Sequence, residues 1–153
     1  MDLKPEITHT KSRNAAVIHL VIPRDRIQSE MPVAIREVMS ALKSQGTHPA
    51  GPLFAHHLTT SHSQFDIEVG FPVNSTVAPT GRVKPGELPG ARVAKAVYTG
   101  GYEGLFAAWS AFDQWVKNEN LVGRDDLWEV YASGPESSPD PGTWKTELYR
   151  PLA

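Results

Sequence analysis

Two stretches decide the fold: QFDIEVGFPV at 64–73 and TWKTELYRPL at 143–152. Each places a glutamate inside a strand-like run and a proline four residues later, Glu68 with Pro72 and Glu147 with Pro151. In the first, Phe65, Ile67, Val69 and Phe71 alternate with Asp66, Glu68 and Gly70. Period-two alternation of this kind marks an antiparallel strand with one buried face. A carboxylate at the same place in two strands asks whether the chain repeats itself.

Working outward, it does. NAAVIHLVIP (14–23) reads as a buried strand, and PEITHTK before it as an extra edge strand. A helix is expected from Ser29 as N-cap, with Pro32 in its first turn and Met31, Ile35, Val38, Met39 and Leu42 on one face. Lys43 and Gly46 mark its end. LFAHHLTT (53–60) and 65–73 then form a hairpin turning at Ser61 to Gln64. After the Pro- and Gly-rich stretch 74–90, expected as a linker, the order returns. ARVAKAVYT (91–99) is a strand, and the next helix aligns Leu105, Ala108, Trp109, Phe112 and Val116. LWEVYAS (127–133) and WKTELYRPL (144–152) are two more strands.

The expectation is a single α+β domain over 1–153, built as a duplicated β-α-β-β unit with pseudo-repeats at about 14–73 and 91–153. Both helices would cover one face of an antiparallel sheet, leaving a ligand groove on the other. Superposing the repeats sets Glu68 on Glu147 and His57 near Tyr131. Both glutamates are expected in the groove, with Tyr149, Tyr131, Trp144 and Tyr102 as aromatic walls and His57 lining it. A carboxylate among aromatic faces suits a bulky cation with spread charge, which stacks well and gives up little hydration.

Composition narrows the choices. The formal charge of -2 and the scattered basic residues argue against a nucleic-acid surface. Without cysteine there is no disulfide, thiolate zinc site or thiol nucleophile. MDLKPEITHT has no apolar core of a signal peptide, and no run approaches membrane-spanning length, so a cytoplasmic protein is the expectation. His56, His57 and His62 invite a metal reading, but adjacent strand histidines point to opposite faces. No metal, cofactor or catalytic residue is assigned.

FDIEVGFPV (65–73), YTGGYEGLFAAWSAFDQW (98–115) and ELYRPL (147–152) together resemble the GyrI-like small-molecule-binding domain, which also serves as the effector module of AraC-type and MerR-type regulators. The resemblance runs from about residue 14 to the end. It implies a duplicated strand–helix–strand–strand fold that binds amphipathic, aromatic or cationic compounds, with the acid of the last strand carried by Glu147. Many relatives have Gly-Pro before the Tyr-Glu pair, where this chain has GGYEGL. Regulators of the family carry a helix-turn-helix ahead of the domain. Here only about a dozen residues precede the first strand, so a stand-alone member without direct DNA contact is expected. The function implied is sensing or sequestering of small, hydrophobic or cationic xenobiotics. The alternatives are hydrolysis of strained, cyclopropane-bearing genotoxins with a glutamate as general base, or a gyrase-inhibitor-like role in which the loop 134–143 meets a protein partner.

Overall fold

A computed structural model describes residues 2–60 and 63–153. Eight strands form one antiparallel sheet: β1 (Glu6–His9), β2 (Arg13–Pro23), β3 (Phe54–His57), β4 (Gln64–Pro72), β5 (Lys84–Leu88), β6 (Arg92–Thr99), β7 (Leu127–Ser133) and β8 (Lys145–Pro151). Helix α1 spans Ile27–Ser44 and α2 spans Leu105–Asn118. The strand order is β1-β6-β8-β7-β3-β4-β2-β5. This is an α+β architecture with the element order strand, helix, strand, strand in each half. The expected turn at Ser61 to Gln64 lies partly outside the described residues.

One feature of the sheet departs from the sequence reading: the stretch 74–90, expected as a linker, contains β5, which pairs with β2. β1 lies at the sheet edge, as expected, and pairs with β6. Each half thus begins with a strand that completes the flank of the other half.

The middle of the sheet is the β3–β7 pair, whose register is symmetric about Ala55 opposite Glu129: Phe54 faces Val130 and His56 faces Trp128. In the flanking ladders Glu68 pairs with His56 and Glu147 with Val130. The two glutamates therefore occupy matching positions three strands apart, about 14 Å at ~4.8 Å per strand.

Side-chain alternation divides the sheet into two faces. On the helical face, Ile18, Leu20, Ile67 and Val69 pack beneath Ala34, Val38 and Leu42 of α1. Ala94, Ala96 and Leu148 pack beneath Ala108, Phe112 and Val116 of α2. For α2 this is the face read from its spacing. Helix α1 starts three residues earlier than expected, with Arg26 rather than Ser29 as its N-cap, so Pro32 is its sixth residue. The missing N–H leaves the Gln28 carbonyl without its intrahelical donor. Gln28 is exposed to solvent. Met39 is 43% exposed, and Ala34 and Ala41 take its expected place in the core.

The opposite face has its own smaller core: Ala15, Val17, Phe54, Val93, Trp128 and Val130, with Leu88 and Tyr149 packed against it. Gly70 lets β4 approach β2 closely there. A Cβ on it would stand 1.9 Å from the Ala16 carbonyl oxygen, far inside contact distance.

Candidate functional site

Helix α1 packs mainly on β2 and β4, and α2 on β6, so the middle strands run beneath the space between the helices. Glu129 projects into this space. Along its cross-strand row the neighbours are Leu148, Ala96, Ala55, Val69 and Ile18, every one a buried aliphatic residue. A carboxylate in such a row must find donors or lose more to desolvation than folding returns. It has two: Trp109 Nε1 of α2 donates to Oε2 at 2.7 Å, and Tyr131 Oη donates to Oε1 at 2.7 Å. Among the described residues no Lys, Arg or His nitrogen lies within 4.0 Å of it as an ion pair. Glu129 is therefore a buried carboxyl group, 7% exposed, held by two side-chain hydrogen bonds and without an ion-pair partner among the described residues.

Aromatic rings gather on its side. Tyr102, in the short 3-10 turn before α2, stands edge-on to Tyr131 with centroids 5.8 Å apart and lies 5.1 Å from Trp144. Trp144 is held by its Nε1 donating to the Ser138 carbonyl at 2.8 Å. His57, on the same face of β3, meets Phe65 edge-on at 5.6 Å. Electrostatics follow the enclosure. Burial, then the nearby Glu129 charge, pushes the Tyr131 phenol well above its usual range. Burial, then Glu136 and Glu129, raises Tyr102. Burial pushes His57 down, opposed in part by Glu129 and assisted by Arg24 and His56. His57 is neutral at pH 7, and both phenols keep their protons.

The glutamates singled out in the sequence lie elsewhere. Glu68 and Glu147 do share the face opposite the helices, as their strand parity requires. Each has an ammonium partner: Lys84 at 3.5 Å from Glu68, and Lys95 at 3.7 Å from Glu147. Tyr149 Oη donates to Glu147 at 3.0 Å, and burial followed by the Glu147 charge pushes this phenol up. The Trp128 ring, stacked on Tyr149 with centroids 5.4 Å apart, stands between the two halves of this face.

The expected set therefore separates into two groups. Glu147, Glu68 and Tyr149 are on the open face. Tyr131, Tyr102, Trp144 and His57 are on the helical side and do not line a groove with Glu147. The cause is simple: Tyr131 is two residues from Glu129 in one strand, so it shares that residue's face.

Glu129 falls outside the duplicated pattern that points to Glu68 and Glu147. Its counterpart in the first half is Ala55, so the repeat contains no acid there. The available signal was a lone charge between Trp128 and Val130 in an otherwise apolar run. The histidines do not converge either. His56 Nε2 is 2.9 Å from Asp126 Oδ2 on the face opposite His57, and His62 lies outside the described residues.

Comparisons with known proteins agree with this architecture. The family model "GyrI-like small molecule binding domain" matches residues 3–153. No curated protein matches at a significant level. Among solved structures, the C-terminal domain of EcmrR superposes with a TM-score of 0.81 at 19% identity, covering 100% of this chain and 99% of that domain. In the EcmrR–DNA complex the chain spans 57% of the EcmrR chain, with 97% of its own length covered. SAV2435 bound to tetraphenylphosphonium gives a TM-score of 0.74 at 9% identity, over 99% of this chain and 94% of that one. A hydrolase from Listeria innocua gives 0.64 at 16%, over 99% and 93%. At these identities the superpositions speak for the fold. With a family model matched over nearly its whole length, the chain belongs to the GyrI-like small-molecule-binding domain family.

Proposed function

We propose that this protein binds lipophilic organic cations on the helical side of the sheet, with Glu129 as counter-charge and Tyr102, Tyr131, Trp109 and Trp144 as aromatic walls. The observation that carries this reading is the buried carboxyl group with two hydrogen-bond donors and, among the described residues, no ion-pair partner. An isolated buried charge is costly, and the cost is recovered when a poorly hydrated cation enters and stacks on the rings. Glu68 and Glu147 are poorer candidates because each already has its lysine. The tetraphenylphosphonium carried by the structurally similar SAV2435 is a cation of this chemistry.

Sequestering or sensing, without bond breaking, fits better than hydrolysis. A general base needs an oxygen able to take a proton from water. Each Glu129 oxygen keeps a lone pair beyond the one that accepts from Trp109 or Tyr131. The carboxyl group nevertheless lies in a row of buried aliphatic side chains, a setting suited to holding an apolar cation and poorly suited to delivering water.

Titration with tetraphenylphosphonium, followed by quenching of tryptophan fluorescence, tests the reading, since Trp109 touches Glu129. Glu129→Gln is expected to weaken binding about tenfold or more, the scale of one buried charge interaction. Equal affinity in wild type and Glu129→Gln would remove the proposal.

A further inference from the structure

The open face contains a cavity of about 330 Å³, lined among others by Trp128, Val130, Tyr149, Leu88, Lys11 and Arg13, with Glu147 on its wall. It is separated from Glu129 by the thickness of the sheet, because Trp128 and Val130 alternate with Glu129 along β7. We infer that this cavity is an independent site for a small amphipathic organic anion, an aryl carboxylate or sulfonate.

Its floor is the apolar patch around Trp128, whose ring lies nearly parallel to that of Tyr149, 14° apart. Pro52, Pro72 and Pro89 complete the rim. The volume falls at the lower end of the range for small-molecule sites.

Charge decides the ligand class. Lys11 and Arg13 stand on the lining, and among the described residues neither has a carboxylate within 4.0 Å. Arg13 is oriented at the rim by donating from one Nη to the Ala50 carbonyl at 3.1 Å, which leaves its other donors available. Guanidinium with free donors is suited to a carboxylate or sulfonate. The one lining carboxylate, Glu147, is balanced by Lys95 and by the Tyr149 hydroxyl. A cation entering this cavity would face two uncompensated positive charges; an anion with a flat apolar body meets both requirements. The two faces thus select ligands of opposite sign.

The experiment uses the full chain, with 2-naphthoate as anionic probe and 2-naphthalenemethanol as its neutral analogue, measured by calorimetry with and without saturating tetraphenylphosphonium. The expected result is naphthoate binding that exceeds that of the alcohol, persists in tetraphenylphosphonium, and weakens about tenfold in Lys11→Gln/Arg13→Gln. That double variant should keep wild-type tetraphenylphosphonium affinity, which also shows that it is folded. Ala132→Phe, filling the cavity from an exposed lining position, should abolish naphthoate binding alone. No naphthoate binding, equal binding of the alcohol, or competition with tetraphenylphosphonium would each overturn the inference. Only the first two leave the cation site untouched, so failure here is distinguishable from failure of the Glu129 reading.

Discussion

On the helical face Glu129 meets an indole N–H and a phenol; on the opposite face Glu68 and Glu147 each lie near a lysine ammonium, at 3.5 Å and 3.7 Å. The paired acids sit at repeated positions, while the unpaired one sits where the two halves meet and its counterpart is alanine. On the proposed reading, the charge that receives a cation is the one the repeat does not duplicate, so symmetry builds the scaffold and the departure from symmetry would supply the site.

The same contrast holds at Gly70 and Tyr149, which occupy corresponding positions beside Phe54 and Trp128. Making the halves more alike here has the largest expected cost. Gly70→Ala drives a Cβ into the Ala16 carbonyl and should destabilise the protein by about 3 kcal/mol or more, measured by urea unfolding. A loss under about 1 kcal/mol would mean that β2 and β4 can separate at this point without penalty.

Exchanging the acids for amides sharpens the comparison directly. Glu147→Gln should leave tetraphenylphosphonium affinity within about twofold, against about tenfold or more for Glu129→Gln. In the absence of ligand, Glu129→Gln should be at least as stable as wild type, because a neutral amide is cheaper to bury than a lone carboxylate. A large drop in melting temperature for that variant would show that the carboxylate serves packing and not a ligand.

Tyr131→Phe removes one of the two donors to Glu129. The expected cost is about 1 kcal/mol of stability by denaturant titration. Unchanged stability would separate the phenol from the carboxylate.

The smallest effect concerns pH. His57 has a folded pKa below its ordinary value, so the unfolded chain binds the proton more readily. Its contribution to stability is fully present above pH 6.5, and is lost as the pH falls through the folded pKa. His57→Gln should flatten that part of the stability–pH curve, and an unaltered curve would show that another group titrates there.

Much of this was legible beforehand because period-two and helical spacing report burial directly. The alternation around Glu68 placed it on the open face, and Leu105 to Val116 gave the buried face of α2. What spacing cannot report is which strands become neighbours. Strand parity with the acids and the match to His57 set Tyr131 in a groove with Glu147, yet the two lie on opposite faces of adjacent strands. β5 escaped notice because KPGEL carries a proline and a glycine and no alternation. It pairs at an edge of the sheet, where a missing N–H is tolerated. Met39 lies at the flank of the α1 stripe, about one 100° step from Val38, while Ala34, Val38 and Ala41 centre it on the sheet.

The exchange of leading strands has a consequence for how the molecule comes into being. Ile7 pairs with Ala94, so β1 waits through the synthesis of an entire half before its partner emerges. Contacts so distant along the chain form late and slowly. Glu129 and its β3 neighbours are brought together in the same late step, because β7 follows β6. A nascent or truncated chain ending in the stretch 74–83 would leave β1 without its partner and would lack Glu129 altogether. On the proposed reading, binding competence would arrive only with completion of the fold.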